Sequence, residues 1–209
     1  MTQNQKPKTV YWLENTLYLN ITNKCSNNCY FCFKRYKQGV DGFNLTLSYE
    51  PTSEEIISEL ATVLHMRSWN SLVFCGFGEP TERLNMLLEI VNWVRMHFGR
   101  SIKIRLDTNG LGYILNPGKD VAAELKRAGV EKVSVSLNAE DNETYEEVCK
   151  PIIPGAYKAA INFICSARSL LEVEVTAVRL PEVDLKKIQA IADSLGVAFR
   201  VREYIPCFF

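Results

Sequence analysis

Residues 23–32 read Asn-Lys-Cys-Ser-Asn-Asn-Cys-Tyr-Phe-Cys, so Cys25, Cys29 and Cys32 form a C-x3-C-x2-C motif. Three thiolates this close together can surround one soft metal centre, and thiolates favour zinc or iron–sulfur clusters. A closed structural zinc site needs four protein ligands, but the next cysteine is Cys75 and both histidines fall in helical patterns. Three ligands on a four-iron cube leave one iron open to a small molecule. The motif therefore favours an open iron–sulfur centre, with a zinc knuckle as the alternative.

The chain around this motif alternates between strand and helix patterns. Six segments read as strands: 17–21, 71–76, 102–107, 132–137, 172–178 and 198–205. Each of the first five is followed by a helical pattern, which predicts parallel pairing with right-handed crossovers. Periodicity alone leaves an open α/β sheet and a partial barrel as alternatives.

Capping residues mark several helix boundaries. Thr52 and Glu55 predict a capping box at the start of the first helix, and a second helix is predicted to begin near Thr81. Further helices are predicted over 119–128, 143–149, 156–170 and 184–195, with glycines ending the first and last of these. Cys149 and Cys165 fall inside helical patterns, where we expect buried free thiols that fill space.

Composition predicts a single domain over residues 1–209, because 209 residues that are 47% hydrophobic can build one core. We assign 22–36 to a cluster loop and 37–51 to a second loop, and expect no auxiliary cluster domain. The 24 basic residues are balanced by 24 acidic ones, which gives no general attraction for nucleic acid. No apolar run approaches the roughly 20 residues of a membrane helix, and residues 1–7 lack the apolar core of a secretory signal. We therefore expect a cytoplasmic protein without a membrane partner.

With Phe31 directly before the third cysteine, the motif resembles that of the radical S-adenosylmethionine (SAM) superfamily. The resemblance covers nearly the whole chain and implies an α/β fold, a partial (β/α)6 TIM-like barrel whose cluster loop follows the first strand. It also implies an enzyme with a [4Fe-4S] cluster and SAM as cofactors. In such enzymes an electron from the cluster cleaves SAM, and the resulting 5'-deoxyadenosyl radical abstracts a hydrogen atom from a substrate.

Two further motifs are similar to SAM-binding segments of this family. Residues 75–81 read Cys-Gly-Phe-Gly-Glu-Pro-Thr; Gly76, Phe77, Gly78 and Glu79 are expected at the methionine part of SAM, where glycines permit close backbone approach. Residues 107–110 read Asp-Thr-Asn-Gly after the third strand, and the resemblance places this segment near SAM, namely Asp107, Thr108, Asn109 and Gly110. Each segment alone could also be an ordinary turn.

The ends of the later strands supply the remaining candidates. The resemblance implies that Ser136 and Asn138 contact the ribose or carboxylate of SAM, with Ser134 as the alternative. Arg179 could pair with the SAM carboxylate or lie in a solvated loop, and Ile205 could pack against adenine. Cys207 could donate a hydrogen atom or bind a metal, and a chance terminal cysteine is the alternative.

The substrate is left open by the sequence and could be a protein or another large molecule. The chain length and the opening segment 11–23 resemble a compact radical SAM subgroup associated with TatD-type metal-dependent hydrolases, which implies a functional link to such a hydrolase. Residues 107–110 suggest a glycyl-radical-enzyme activase instead. The short length suggests a 7-carboxy-7-deazaguanine synthase-like enzyme, although Phe33 occupies the place of its Mg²⁺ ligand.

A non-catalytic iron–sulfur sensor is the alternative from a different functional class. A sensor has no need of a SAM pocket, so the segments 75–81 and 107–110 argue against it. For the enzyme we expect a reductant such as flavodoxin or ferredoxin as a partner.

Overall fold

A central β-sheet organises the protein, whose computed structural model describes residues 7–205. Nine strands follow one another along the chain: β1 (Val10–Leu13), β2 (Thr16–Leu19), β3 (Gly39–Val40), β4 (Phe43–Asn44), β5 (Ser71–Phe74), β6 (Lys103–Thr108), β7 (Lys132–Ser136), β8 (Glu172–Val178) and β9 (Ala198–Arg202). Seven of them form one sheet in the order β1-β2-β5-β6-β7-β8-β9. Every neighbouring pair from β2 to β9 is parallel. All six predicted strands are therefore present, and the predicted α/β fold of the partial-barrel type is confirmed.

Two short hairpins were not predicted. β1 pairs antiparallel with β2 through the two-residue turn Glu14-Asn15, in which Glu14 has a left-handed φ of 52°. β3 and β4 form a second hairpin inside the predicted loop 37–51, and Asp41-Gly42 at its tip has φ values of 48° and 81°. Asp-Gly is a standard signal for such a tight turn, so the sequence did carry this information.

Seven helices connect or flank the strands: α1 (Ser53–Leu64), α2 (Leu84–Phe98), α3 (Gly112–Leu115), α4 (Val121–Ala128), α5 (Asn142–Cys149), α6 (Ala156–Ala167) and α7 (Leu185–Leu195). The predicted capping box of α1 is confirmed, since the Thr52 side chain and Glu55 cap each other's backbone. The helix predicted near Thr81 begins instead as a 3-10 turn, Pro80–Arg83, before α2. α6 ends three residues before the predicted position 170, and the short α3 was missed.

The two faces of the sheet differ in chemistry. The outer face, which α1, α2, α4 and α6 cover, consists of aliphatic strand residues such as Leu72, Ile104, Leu106 and Val133, all fully buried. The inner face carries the alternate residues of the same strands, because successive side chains of a strand point to opposite sides. Strand pairing aligns polar inner-face residues in rows, such as Arg105 beside Lys132 and Asp107 beside Ser134. The inner face is thus the polar wall of the barrel interior.

Within residues 7–205, no helix combines the length and the apolar composition that a membrane span requires. That residues 1–209 form a single domain stays a prediction.

Candidate active site

Two loops at the carboxyl end of the sheet pack directly against each other. They are the cluster loop, residues 22–36 after β2, and the glycine loop, residues 75–79 after β5. The backbone N–H of Glu79 donates to the carbonyl of Lys24 at 2.8 Å. A Cβ atom on Gly78 would lie 2.4 Å from the carbonyl oxygens of both Thr22 and Lys24. Glycine is therefore required here for contact with the cluster loop, whatever SAM itself demands.

Gly76 has a similar constraint. A Cβ atom there would lie 2.1 Å from the Asn20 side-chain oxygen, and this same oxygen accepts a hydrogen bond from the Phe77 N–H at 3.0 Å. The Phe77 ring is buried and lies edge-on to Phe33 of the cluster loop, with 5.2 Å between ring centroids. Phe77 therefore joins the two loops through its side chain, while Phe31 lies half-buried against the main core.

The Glu79 carboxylate ties the glycine loop to the loop after β6. One oxygen accepts from the Thr81 N–H at 3.0 Å and from the hydroxyls of Thr81 and Thr108, each at 2.7 Å. The other oxygen accepts from the Asn109 N–H at 2.7 Å. Burial raises the pKa of Glu79, and these hydrogen bonds oppose that rise. Its first role in the fold is to join loops, and its predicted contact with SAM stays a prediction.

The cluster loop is also anchored to α5 and to the β6 loop. The Asn28 N–H donates to the Cys149 carbonyl at 3.0 Å, and Asn27 forms an isolated antiparallel bridge with Pro151. The Asn109 side-chain amide donates to the Ser26 hydroxyl at 2.9 Å. These contacts fix the loop backbone from two sides.

The three cysteines of the loop lie half-buried, and Cys29 is within electrostatic reach of both Cys25 and Cys32. Burial raises the pKa of Cys25 to about 12 and also raises that of Cys32, and the charge of Cys29 adds to both effects. A hydrogen bond with the Cys149 thiol, together with burial, raises the pKa of Cys29. Cys149 is buried as predicted, whereas Cys165 is exposed on the solvent side of α6, so its prediction as core filling was wrong.

The end of β6 contributes a buried acid. Asp107 faces the interior and forms an ion pair with Arg105, with 2.8 Å between Arg105 Nε and the nearer carboxylate oxygen. Burial raises the pKa of Asp107, while Arg105 and a hydrogen bond with the Cys75 thiol lower it. Thr108 and Asn109 donate hydrogen bonds to the Glu79 carboxylate, and Gly110 has a left-handed φ of 81°. The structure thus brings residues 107–110 together with the glycine loop, while the predicted contacts of both segments with SAM stay predictions.

Comparison with known proteins decides the family. The sequence model of the radical SAM superfamily matches residues 19–195 of the chain, which include the cluster loop and every loop described above. The chain belongs to the radical SAM superfamily. This membership favours the iron–sulfur centre over the zinc knuckle.

Curated relatives in this superfamily include probable GTP 3',8-cyclases of archaea. The protein of Saccharolobus islandicus is 31% identical over 170 residues, which cover 75% of this chain and 50% of the relative. That of Methanocaldococcus jannaschii is 28% identical over 195 residues, covering 91% of this chain and 59% of the relative. The chain therefore spans about half to three-fifths of the length of these relatives.

Solved structures of other proteins share the fold. Streptococcus suis SuiB bound to S-adenosylmethionine superposes with a TM-score of 0.67 at 15% identity, over 91% of this chain and 40% of SuiB. Methylornithine synthase (PylB) superposes with a TM-score of 0.62 at 17% identity, over 91% of this chain and 53% of that protein. These likenesses confirm the partial-barrel prediction.

The superfamily uses a [4Fe-4S] cluster and SAM, which confirms the predicted cofactors. The donors of this chain fit the cluster, because soft thiols are the usual ligands of iron–sulfur centres and the motif offers three of them. Among residues 7–205, no three His, Cys, Asp or Glu side chains are grouped so that they could hold a single metal ion.

The remaining predicted site residues of this radical SAM protein divide into two groups. Ser136 and Asn138 lie at the end of β7, and the Asn138 side-chain oxygen accepts from the Val178 N–H at 3.1 Å. Ser134 donates to Glu174 on the inner face. In contrast, Arg179 is exposed and forms an ion pair with Glu203, and the Ile205 side chain is exposed as well. Cys207 lies outside the described residues.

Sequence reasoning missed Arg202 at the end of β9. Its guanidinium donates to the Ser136 hydroxyl at 3.1 Å and to the Asn138 side-chain oxygen at 3.2 Å. The alternation of Arg200 and Arg202 in the last strand was the available signal, because both must lie on one face. Arg202, rather than Arg179, is the arginine that the structure brings together with Ser136 and Asn138.

Proposed function

We propose that this chain is a radical SAM enzyme that holds one [4Fe-4S] cluster through Cys25, Cys29 and Cys32. The observation that carries the proposal is the direct packing of the cluster loop on the glycine loop, where Gly78 leaves room only for backbone. When bound, the cluster and SAM together supply a 5'-deoxyadenosyl radical that abstracts a hydrogen atom from a substrate.

The chain's own residues bind and position these groups. Burial raises the pKa of Cys32, and the positive charges of Lys34 and Arg35 oppose that rise in favour of the thiolate, the form that binds iron. Arg35 also donates to the Cys29 carbonyl at 2.9 Å and so fixes the loop between two ligands. Loops held on several sides keep reacting groups within the small tolerance that catalysis demands.

The polar inner face provides the substrate surface in this proposal. Asp107 lies near the carboxyl end of β6, and its hydrogen-bond partner Cys75 is the first residue of the glycine loop. Ligands of α/β sheets bind at the carboxyl ends of the strands, which supports this placement.

We further propose that the protein belongs to the TatD-associated subgroup, is linked in function to a TatD-type hydrolase, and acts in the cytoplasm. The opening segment 11–23 supports this assignment, and in the structure it builds β1, β2 and the start of the cluster loop. A flavodoxin or ferredoxin would supply the electron. The exposed cations Arg35 and Lys37 beside the third cysteine support an acidic protein of this kind.

A second candidate is the cyclisation of GTP, since the archaeal relatives are named probable GTP 3',8-cyclases. Sequence identity of 31% over 75% of this chain supports this candidate. The share of the relatives that the chain covers, 50% for the first, leaves the rest of their length without a counterpart here.

Anaerobic reconstitution with iron and sulfide, reduction with dithionite and addition of SAM test the proposal. We expect the wild type to bind about four irons and to release 5'-deoxyadenosine, measured by mass spectrometry. Cys29→Ala should lose both properties, while Cys165→Ala, which changes an exposed cysteine on α6, should keep them. The proposal is wrong if the wild type binds neither cluster nor SAM, or if Cys29→Ala cleaves SAM as the wild type does. A parallel reaction with GTP distinguishes the second candidate by whether a cyclised nucleotide appears.

A further inference from the structure

The middle of the cluster loop pairs with the segment of chain that ends α5. Asn27 forms an isolated antiparallel bridge with Pro151. Three residues further along the loop, the Tyr30 N–H donates to the Val148 carbonyl at 3.3 Å. Both contacts fit one antiparallel register, in which the loop advances by one residue as the facing segment goes back by one.

This register sets Cys29 opposite Cys149, the last residue of α5. The N–H groups of Asn28 and Tyr30, on either side of Cys29, both donate to the facing segment. In such an alternation the residue between belongs to the kind of antiparallel pair whose side chains lie closest. Cys149 is fully buried, and its thiol forms a hydrogen bond with Cys29. Cys29 therefore has a second thiol as a direct neighbour.

The three predicted cluster ligands differ in the partners of their sulfur atoms. Cys25 accepts a hydrogen bond from the backbone N–H of Asn27, and Cys32 accepts one from the backbone N–H of Lys34. Cys29 instead meets a side chain from α5. A side-chain substitution can remove this partner and leave the backbone donors of the other two sulfurs in place.

The proton of the thiol pair belongs to Cys149 when iron is bound. Cys29 is then a thiolate, which can only accept a hydrogen bond. A second negative charge buried beside it would be costly, so Cys149 remains the S–H donor. A hydrogen bond to a ligand sulfur stabilises negative charge, and reduction of the cluster adds one electron. Such a donor therefore favours the reduced cluster.

We propose that Cys149 is a positioning residue of the cluster, whose thiol donates a hydrogen bond to the Cys29 sulfur and raises the reduction potential of the [4Fe-4S] cluster. The inference rests on the proposed function, because it requires a cluster held by Cys25, Cys29 and Cys32. A higher potential allows a weaker one-electron donor to reduce the cluster.

A redox titration of the reconstituted protein without SAM, followed by electron paramagnetic resonance, tests this inference. Cys149→Ala removes the donor, and Cys149→Ser replaces it with a hydroxyl donor. Val148→Ala is the matched control, because Val148 is also fully buried at the end of α5 but carries no donor.

The measured quantity is the ratio of reduced to oxidised cluster at the wild-type midpoint potential. We expect this ratio to fall about fivefold to tenfold in Cys149→Ala, where tenfold corresponds to about 59 mV for one electron. Cys149→Ser should keep most of the wild-type ratio, and Val148→Ala should match the wild type. The inference is overturned if Cys149→Ala titrates like the wild type, or if Val148→Ala shows the same fall, because packing would then set the potential.

Cys149→Val keeps the apolar bulk at this position and serves if Cys149→Ala holds no cluster. It lacks a donor, so we expect the same fall in the ratio. An unchanged ratio in Cys149→Val would overturn the inference as well.

Oxidation of the apo-protein tests the thiol pair without the cluster. Diamide takes two electrons and two protons from two neighbouring thiols and is reduced to the hydrazine, so the thiols form a disulfide. We expect peptide mapping of the Cys25→Ser/Cys32→Ser variant to find a disulfide between Cys29 and Cys149, because close antiparallel pairs with Cα atoms about 4.5 Å apart fit this bond. Absence of this disulfide would overturn the inference.

The two measurements distinguish the inference from the proposed function. A protein that forms the disulfide but assembles no cluster would overturn the proposed function, and the tuning of a cluster with it. A protein that assembles the cluster at a potential independent of Cys149 would overturn the inference alone.

Discussion

The outer and inner faces of the sheet are formed by the same strands, but the outer face is apolar and the inner face is polar. On β6, Leu106 points outward and is fully buried under the helices, while its neighbour Asp107 points inward beside Arg105. The outer residues gain stability through apolar burial, which depends on shape and not on charge. Burial of the polar inner residues carries a desolvation penalty, which their specific hydrogen bonds and ion pairs offset. The comparison indicates that stability and chemistry are separated by a single residue step along each strand.

The largest effect on stability should come from the outer face. Leu106→Ala removes a fully buried side chain from the main core and leaves a cavity under the helices. We expect the free energy of unfolding to fall by about 2–5 kcal/mol, measured by urea denaturation. Leu170→Ala, at a position after α6 that is 37% exposed, is the matched control and should change it by less than about 1 kcal/mol. Equal losses in both variants would remove the distinction between the faces.

A substitution one residue away should show the opposite pattern. Asp107→Asn removes the negative charge that pairs with Arg105 and contacts the Cys75 thiol. We expect a stability loss of only about 1 kcal/mol, but a drop of about tenfold or more in 5'-deoxyadenosine formation, because the inner face loses its ordered charges. Glu203→Gln, in the exposed pair with Arg179, controls for the loss of one negative charge. Activity that merely follows the folded fraction of Asp107→Asn would contradict a separate role for this face.

The smallest effect concerns acid stability. Burial alone would raise the pKa of Glu174, but hydrogen bonds and charge from Arg200, with Lys132, leave it below the usual value of 4.5. A carboxyl whose pKa is lower in the folded state stabilises the fold above the unfolded pKa and loses this contribution as the pH falls. We expect Glu174→Gln to lack part of the stability that the wild type loses below about pH 4.5, an effect under about 1 kcal/mol. The measurement is the free energy of unfolding between pH 3 and 7.

Glu172→Gln is the matched control for this prediction. Glu172 stands on the same strand and contacts Lys132, but its side chain is 69% exposed. Water screens such a pair, so its removal should leave the free energy of unfolding below about pH 4.5 nearly unchanged relative to the wild type. A larger change in Glu172→Gln than in Glu174→Gln would show that burial does not set the size of these effects.

The outer face could be read from the sequence, and much of the inner face could not. Aliphatic alternation in segments such as 132–137 predicts a strand directly, and residues such as Thr52, Gly129 and Gly196 mark helix ends where the structure has them. The β3–β4 hairpin was missed although Asp41-Gly42 signals it, because two-residue strands give too short a pattern. Local information was thus sufficient for elements of ordinary length.

The residues of the candidate site also differ in how well the sequence predicts their grouping. The three cluster cysteines are neighbours in sequence, so their grouping needs no knowledge of the fold. The contact between Arg202 and Ser136 joins residues 66 positions apart and depends on the order of β7, β8 and β9. Arg179 is equally close to a strand end, but it follows β8 and is exposed. Only the strand order distinguishes these two arginines.

The anchoring of the cluster loop has a consequence for the protein before any iron arrives. Hydrogen bonds between protein groups hold this loop to α5 and to Asn109. The loop therefore loses its conformational entropy when the chain folds, and the cluster binds a preorganised site. Small zinc domains behave in the opposite way, because they acquire their fold from the metal. We therefore expect loss of iron through oxidation to inactivate the enzyme while leaving a folded chain that can be reloaded.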